Sequence, residues 1–187
     1  GLDLITVSCN EDTSATDLLG RFIIKGGETV WIDGPIVRAL RSGAILYLDE
    51  IAEARPDAVV VIHSLADHRR EVYLDRTAET VKAPDSFMLV VSYNPGYQRS
   101  MRELKQSTRQ RFVGISFDYP TSSVEAEIVS KESGVDIKLA QGLVSLATKI
   151  RALQELSLLE TASTRLLVAA GKLILQGLPP RLACKSA

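Results

Sequence analysis

The stretch that decides the fold is Ala44-Ile-Leu-Tyr-Leu-Asp49-Glu50, an apolar run of strand length that ends in two adjacent carboxylates. A second such run, Val90-Val-Ser-Tyr-Asn94-Pro95, follows further along the chain and ends in an asparagine. Strands buried on both faces of a parallel sheet are nearly continuous in Val, Ile and Leu, and open α/β sheets bind ligands at the carboxyl ends of their strands. The two runs predict a parallel α/β sheet with Asp49, Glu50 and Asn94 at its functional edge.

These three side chains suit a magnesium–nucleotide site. One carboxylate can hold the hydration shell of Mg²⁺, its neighbour can polarise a water molecule, and the amide of Asn94 can position that water near a γ-phosphate. Each feature also has an ordinary alternative: a solvated acidic turn for Asp49 and Glu50, and a Pro-Gly turn for Asn94. The phosphate-cradling pattern G-x-x-x-x-G-K-[ST] does not occur in the chain.

Length and composition limit the class of protein. The 187 residues can form one domain of good size, or a core with a small appendage, and 45% hydrophobic and 24% charged residues are ordinary for a soluble globular protein. The net charge of −1 gives no reason to expect nucleic acid or a membrane as the main partner. Cys9 and Cys184 lie far apart without metal-ligand spacing, and no apolar run reaches the roughly 18 residues of a membrane helix. We therefore expect a cytoplasmic protein without a membrane span.

The pattern of apolar and polar residues changes at Pro120. Before it, short apolar runs alternate with polar loops, and after it the pattern is helical. We assign residues 1–120 to an α/β core and residues 121–187 to a small helical lid. Two β-hairpins are predicted in the core, around Gly26-Gly27 and around residues 75–78. Four strands of a parallel sheet are also predicted there: Leu4–Ser8, Ile45–Asp49, Met88–Tyr93 and Val113–Phe117.

Capping signals locate the helices. Pro56 is expected at the first position of a helix in the core. In the second part, Ser122-Ser-Val-Glu125 has the pattern of a capping box, Asp136 begins a second helix, and Ser163 caps a third. A fourth helix is expected to open at Pro179-Pro180.

Three arginines are candidates for contacts with phosphate. Arg109 and Arg111 precede an apolar run, and either could extend to the nucleotide of a neighbouring subunit as an arginine finger. The alternative is a solvated basic turn. Arg165 lies in the first turn of the helix that Ser163 caps, where a positive charge opposes the helix dipole. Its position requires a compensating contact, either with a phosphate or with a nearby carboxylate.

Together these pieces resemble the MoxR branch of the AAA+ ATPases, and more narrowly its CbbQ/NorQ group. The resemblance covers essentially the whole chain in order. Its most specific parts are the run from Lys105 to Phe112 and the segment Ser92-Tyr-Asn-Pro-Gly-Tyr-Gln98. The other resembling segments are Asp17-Leu-Leu-Gly-Arg21, the run from Gly26 to Pro35, Tyr47-Leu-Asp-Glu50 with Ala54-Arg55, Phe117-Asp-Tyr-Pro120, and Ser163-Thr-Arg-Leu-Leu167.

The resemblance implies an AAA+ P-loop NTPase core with a parallel sheet, followed by a helical lid. It also implies ATP as substrate and Mg²⁺ as metal cofactor. Asp49 takes the first Walker B role and holds Mg²⁺ through water, Glu50 takes the catalytic Walker B role, and Asn94 takes the sensor-1 role.

The same resemblance implies a homo-oligomeric ring, usually a hexamer. Arg111 is the preferred arginine finger, with Arg109 as the close alternative, and Arg165 matches sensor 2. The hairpins Gly20–Trp31 and Val72–Lys82 correspond to insertions that face the pore or the client in this branch.

Relatives of the CbbQ type work with a CbbO-like adaptor that carries a von Willebrand factor A domain, and they release inhibitory sugar phosphates from Rubisco. NorQ-type relatives help nitric oxide reductase to mature. The hairpin that ends in Gly26-Gly-Glu-Thr-Val-Trp31 is more similar to the CbbQ type, which favours Rubisco as the client.

Family members carry a strand, a Walker A loop and a helix that precede the part of the family which this chain resembles. We therefore expect a fragment whose intact protein is an ATPase, whereas the fragment alone binds nucleotide poorly and is inactive. An intact mass above 20.4 kDa would reveal further residues. Two alternatives stay open. The chain could be a non-hydrolysing module that assembles a ring, or an α/β scaffold that forms no ring.

Overall fold

The computed structural model describes residues 1–94, 104–154 and 162–187, without the side chains of residues 153 and 154. The chain divides into two compact units, Gly1–Gly114 and Ile115–Ala187. Residues 95–98, which belong to one of the most specific resembling segments, lie outside the described residues. Within the described residues, no helix is long and apolar enough to cross a membrane.

The first unit mixes strands and helices along the chain. Its described elements are β1 (Leu4–Ser8), α1 (Ala15–Leu19), β2 (Gly20–Lys25), β3 (Glu28–Asp33), α2 (Pro35–Ser42), β4 (Ile45–Asp49), α3 (Pro56–Leu65), β5 (Glu71–Leu74), β6 (Glu79–Lys82), β7 (Met88–Val91) and α4 (Gln106–Arg109).

Three of these strands form a parallel sheet in the order β1-β4-β7. Ser8 lies opposite Asp49 at one end of the ladder, and Leu48 lies opposite Val91. Side chains alternate between the two faces of each strand, and Leu46 and Leu48 are fully buried on the face that packs into the core. Helices and the second hairpin supply much of the rest of that core, for example Ile36 from α2 and Leu74 from β5. The prediction of an α/β fold with a parallel sheet is confirmed.

Two antiparallel hairpins accompany the sheet, as the sequence predicts. In the first, β2 pairs with β3 across Gly26-Gly27, whose φ angles of 63° and 86° lie in the left-handed region that glycine adopts without strain. In the second, β5 pairs with β6. Helix α3 begins at Pro56, also as predicted.

The prediction of a strand at Val113–Phe117 is wrong. This run lies across the boundary between the two units and belongs to no strand, and Val113 and Phe117 are 93% and 92% exposed. An alternating apolar run forms a strand only when a neighbouring strand accepts its backbone hydrogen bonds and covers one of its faces. None of the described strands pairs with it.

The strand predicted at Met88–Tyr93 is two residues shorter in the structure and ends at Val91. The carbonyl of Ser92 accepts a hydrogen bond from the amide of Ile51, at 3.1 Å. Because Ile51 already belongs to the short 3₁₀ turn that follows β4, this bond ends the regular ladder.

The second unit is helical over its described residues. Its helices are α5 (Ser122–Ser133), α6 (Ile137–Gln154), α7 (Thr164–Leu175) and α8 (Pro180–Ser186). Asp136 accepts hydrogen bonds from the amides of Lys138 and Leu139, and Ser163 accepts one from the amide of Leu166, so both predicted caps are present.

The capping box predicted at Ser122–Glu125 is wrong. Helix α5 has Thr121 as its N-cap, without a side-chain cap hydrogen bond. Glu125 is 1% exposed and pairs with Arg151 of α6, where Nη2 lies 2.7 Å from Oε1 and Nη1 lies 2.9 Å from Oε2. An arginine fork fits both oxygens of the carboxylate at once, and this contact replaces the cap.

Candidate functional site

The described part of the site lies at the carboxyl ends of β4 and β7. Asp49 is the last residue of β4, and Glu50 follows it directly. Asn94 lies shortly after β7, and its Nδ2 donates a hydrogen bond of 2.7 Å to Glu50 Oε1. Because β4 and β7 are parallel neighbours, their carboxyl ends meet at one edge, and this brings the three polar side chains together.

Two hydroxyl groups hold the carboxylate of Asp49. Ser92 Oγ donates to Asp49 Oδ1 at 2.5 Å, and Tyr47 Oη donates to the same oxygen at 2.7 Å. The Ser92 hydrogen bond first, and that of Tyr47 second, hold the pKa of Asp49 below its ordinary value. Asp49 is therefore ionised at neutral pH, and an ionised carboxylate is the oxygen donor that Mg²⁺ or its water shell prefers.

Glu50 has an unusual backbone conformation. Its φ of 54° and ψ of 44° are left-handed, which costs a residue with a side chain about 1–2 kcal/mol. Its amide donates to Ser92 Oγ at 3.1 Å and thereby recovers part of that cost. Strain of this kind is concentrated at active sites, where the surrounding structure enforces one geometry.

The carboxyl of Glu50 is a better base than an ordinary glutamate. Burial raises its pKa, and the negative charges of Asp49 and Glu53 raise it further. Asp49 and Glu50 are thus adjacent acids whose pKa values move in opposite directions. Such a pair suits a division of work in which one group stays ionised beside a cation while the other polarises water.

Cys9 lies directly beside this edge but does not add a nucleophile. Its amide donates to the carbonyl of Asp49 at 2.8 Å. Burial, together with the charge of Asp49, raises the pKa of its thiol to about 11. The thiol is therefore protonated at neutral pH.

The two arginines proposed as fingers lie at α4 and just beyond it. Arg109 is the last residue of α4, and Arg111 donates through Nη1 to the carbonyl of Ser107. Both residues are exposed, and neither forms an ion pair within the described parts of the chain. Thr108, directly before Arg109, is fully buried and its Oγ1 lies 2.8 Å from Nε2 of His63 on α3. The helix is thus anchored by Thr108, while Arg109 at its end and Arg111 just beyond it stay in solvent.

Arg165 lies in the second unit, at the second residue of α7. Among the described residues it forms no ion pair. The neighbouring carboxylate of Glu125 is occupied instead by Arg151 and by Thr164, whose Oγ1 donates to Oε1 at 2.6 Å. The compensating carboxylate that the sequence allows for Arg165 is therefore not found among these residues.

Sequence reasoning missed Tyr47 and Ser92, although both lie inside the segments that it selected. The signal that could have identified them is their spacing of two residues from Asp49 and from Asn94. Tyr47 precedes Asp49 by two residues, and side chains two apart in a strand lie on the same face. Ser92 precedes Asn94 by two residues at the end of the adjacent strand.

Comparison with protein families gives two matches. Residues 2–112 match the family described as AAA domain (dynein-related subfamily). Residues 125–187 match the family described as CbbQ/NirQ/NorQ C-terminal.

Curated proteins with similar sequences fall in the same group. The denitrification regulatory protein NirQ of Pseudomonas aeruginosa is 56% identical over all of this chain and 72% of its own length. Protein CbbQ of Hydrogenophilus thermoluteolus is 54% identical over all of the chain and 70% of its own length. Protein NorQ of Paracoccus denitrificans is 55% identical over 95% of the chain and 66% of its own length.

Solved structures also resemble the chain in fold. One of them is the crystal structure of a candidate ATPase from Cytophaga hutchinsonii, with a TM-score of 0.55 and 17% sequence identity. The match covers 99% of this chain and 67% of that one.

Proposed function

The chain belongs to the CbbQ/NirQ/NorQ family of AAA ATPases, and from that premise we propose that its intact protein is a remodelling motor whose hydrolytic site includes Asp49, Glu50 and Asn94. The observation that carries the proposal is the contact between Asn94 and Glu50. An amide that donates to one carboxylate oxygen at 2.7 Å leaves the other oxygen to accept a proton from water.

Each of the three side chains has its own task in this proposal. Glu50 accepts a proton from the attacking water, and its raised pKa makes it effective as a base. Asn94 fixes the orientation of that carboxylate. Asp49, ionised and fixed by two hydroxyl donors, fits the water shell of Mg²⁺. When bound with ATP, Mg²⁺ neutralises charge on the β- and γ-phosphates.

The arginines and the oligomer are proposed from the family resemblance. Arg111, with Arg109 as the alternative, reaches the nucleotide of the next subunit in a hexameric ring, and Arg165 contacts the nucleotide as sensor 2. Arg109 at the end of α4 and Arg111 just beyond it are both exposed, and buried Thr108 anchors that helix, which supports the finger. Residues 1–120 act as the α/β core and residues 121–187 as the lid.

Rubisco is the proposed client, with a von Willebrand A-domain adaptor and a cytoplasmic location. Support comes from the first hairpin, where Ile24 is 81% exposed and Phe22 packs edge-to-face on Trp31 at 5.2 Å. An apolar, solvent-exposed hairpin is suited to contact another protein. Nitric oxide reductase is the second candidate client, because the NirQ and NorQ relatives, at 56% and 55% identity, are as similar as CbbQ at 54%.

Hydrolysis is tested by Glu50→Gln in the intact protein. The glutamine keeps the acceptor oxygen for Asn94 but cannot take a proton from water, so ATP binding should persist while turnover is lost. Nucleotide affinity and phosphate release are the two measurements. Phosphate release that Glu50→Gln leaves unchanged would overturn the role of Glu50 in hydrolysis. An unmodified protein that releases no phosphate, forms a ring by light scattering and loses no function on Glu50→Gln would instead favour the non-hydrolysing ring module.

The client is tested separately. The intact protein, its adaptor and ATP are added to Rubisco blocked by a sugar phosphate, and carboxylation is followed. The Glu50→Gln variant is the matched control and should leave Rubisco inhibited. A protein that hydrolyses ATP but restores no Rubisco activity would exclude this client, and rescue of nitric oxide reductase activity in cells lacking NorQ would then be measured.

A further inference from the structure

Ser92 contacts each of four consecutive residues at the end of β4. Its amide donates to the carbonyl of Leu48 at 3.0 Å, and its own carbonyl accepts from the amide of Ile51 at 3.1 Å. Between them, its Oγ donates to Asp49 Oδ1 at 2.5 Å and accepts from the amide of Glu50 at 3.1 Å. One serine therefore holds the whole turn that carries both acids.

The hydroxyl and the backbone of Ser92 have separate tasks. The bond to Leu48 follows the pairing of β7 with β4, the bond from Ile51 joins the turn after β4, and both would survive in any residue other than proline. Only Oγ reaches the carboxylate of Asp49 and the amide of Glu50. Since that amide belongs to a residue in the left-handed conformation, Oγ fixes a backbone that would otherwise relax.

Because both hydroxyl donors meet Asp49 at Oδ1, they also select an orientation of its carboxylate. Tyr47 approaches the same oxygen from within β4 and lies 3.2 Å from Ser92 Oγ. Oδ2 is left as the oxygen without a hydroxyl donor, and it is the one available to a hydrated cation. Hydrogen bonds to a metal-binding carboxylate act in this way on its direction and basicity.

We propose that Ser92 is the positioning residue of the hydrolytic site: its single hydroxyl sets the carboxylate of Asp49 and the backbone of Glu50 in the geometry that hydrolysis requires. Ser92 touches neither substrate nor the attacking water in this proposal and acts through the two acids. The inference rests on the proposed ATPase function.

The test replaces Ser92 by Ala in the intact protein. The change removes Oγ and keeps both backbone bonds, so we expect the fold to persist. We expect kcat for ATP to fall about 10- to 100-fold, as is usual for the loss of an outer-shell partner, and the Mg²⁺ concentration for half-maximal rate to rise. KM for ATP should change by no more than about twofold, because uniform binding is not affected.

Two matched variants make the result specific. Ser92→Thr keeps a hydroxyl on the same carbon and should retain most of kcat. Tyr47→Phe removes a donor to Asp49 but leaves the contact with Glu50, so its kcat should lie between those of Ser92→Ala and the unmodified protein.

The outcomes separate this proposal from the proposed function. A fall in kcat for Ser92→Ala with rescue by Ser92→Thr supports positioning. If Ser92→Ala turns over ATP normally while Glu50→Gln does not, the protein hydrolyses ATP but Ser92 does not position the acids. If Glu50→Gln also turns over normally, both the ATPase assignment of this site and the role of Ser92 are overturned.

Discussion

The side-chain amide of Asn94 donates to one oxygen of Glu50 at 2.7 Å, across two parallel strands that are neighbours in space but distant in sequence. The contact thus joins the carboxylate of Glu50, whose pKa is raised, to a neutral hydrogen-bond donor. A donor that is neutral can orient the carboxylate without lowering its basicity as strongly as a cation would.

Replacing Asn94 by Asp should therefore be worse than removing the side chain. The aspartate has the same shape but places a second negative charge beside Glu50. The two carboxylates repel each other, and this repulsion raises the pKa of Glu50. We expect kcat to fall about 100-fold, near the lower end of what general-base catalysis contributes. Measured kcat across pH for Asn94→Asp and Asn94→Ala checks this: only the aspartate should move the acid limb to higher pH. Equal losses without that movement would contradict the electrostatic explanation.

Glu53 offers a test of the pKa of Glu50 from a distance. Burial is the main cause of the raised pKa of Glu50, and the charges of Asp49 and Glu53 add to it. Glu53→Gln removes one negative charge, so the pKa of Glu50 should fall and the acid limb of kcat/KM should move to lower pH. The control is Glu28→Gln at the tip of the first hairpin, which should leave the profile unchanged. Movement in the opposite direction would mean that the acid limb reports another group.

Strands of the sheet could be predicted where a short stretch of sequence carries the whole pattern of a strand. The run Ile45–Asp49 is apolar, has strand length and ends in acids, and the structure contains that strand with the same bounds. Val113–Phe117 has an equally good local pattern but belongs to no strand and is exposed. Whether such a run becomes a strand depends on a partner, and an apolar pattern does not reveal whether one is present.

The hydrogen-bond partners of polar residues could not be predicted where the partner is distant in sequence. Glu125 fits a capping box locally, yet its partner is Arg151, on the next helix. In the sequence, Ser92 is an ordinary serine near the end of a strand. Its contacts with Asp49 and Glu50 depend on the parallel register of β4 and β7. The types of residue at the site could be selected from sequence, whereas the hydrogen bonds that orient them could not.

Two glycines inside helices of the second unit should respond to alanine in opposite ways. A Cβ on Gly171 of α7 would lie 2.6 Å from Oγ and 2.7 Å from Cβ of Ser133 on α5, whereas a Cβ on Gly142 of α6 meets nothing within 4 Å. Gly142→Ala should stabilise the protein by about 0.5–1 kcal/mol through the better helix propensity of alanine. Gly171→Ala should destabilise it by about 1–3 kcal/mol, because the two helices must move apart.

Denaturant unfolding of the two variants measures both effects under the same conditions. Ser133→Ala in the Gly171→Ala background removes the nearer clashing atom and should restore part of the loss. Stabilisation by Gly171→Ala would show that α5 and α7 are not in close contact at Gly171 and Ser133.

The ion pair of Glu125 and Arg151 should contribute strongly to the stability of the second unit. Both side chains are largely shielded from water, with 1% and 14% of their surface exposed. Arg151 also donates through Nε to the carbonyl of Ala162 at 2.8 Å and lies 3.5 Å from the centre of the Tyr119 ring. Glu125→Gln keeps the volume but leaves the guanidinium without its counter-charge, so we expect a loss of about 3–5 kcal/mol.

The pH dependence of that loss follows from the pKa of Glu125, which the hydrogen bonds of Arg151 first, and of Thr164 next, hold below its ordinary value. A carboxyl whose pKa is lower in the folded state stabilises the protein above its unfolded pKa, and this contribution disappears as pH falls through the folded pKa. The difference in unfolding free energy between the unmodified protein and Glu125→Gln should therefore be large at neutral pH and shrink in acid. Glu132→Gln, the same change on the exposed side of α5, is the matched control and should alter stability by no more than about 0.5 kcal/mol. A Glu125→Gln variant as stable as this control would mean that Arg151 finds equivalent partners elsewhere, and the ion pair would then not hold α5, α6 and the start of α7 together.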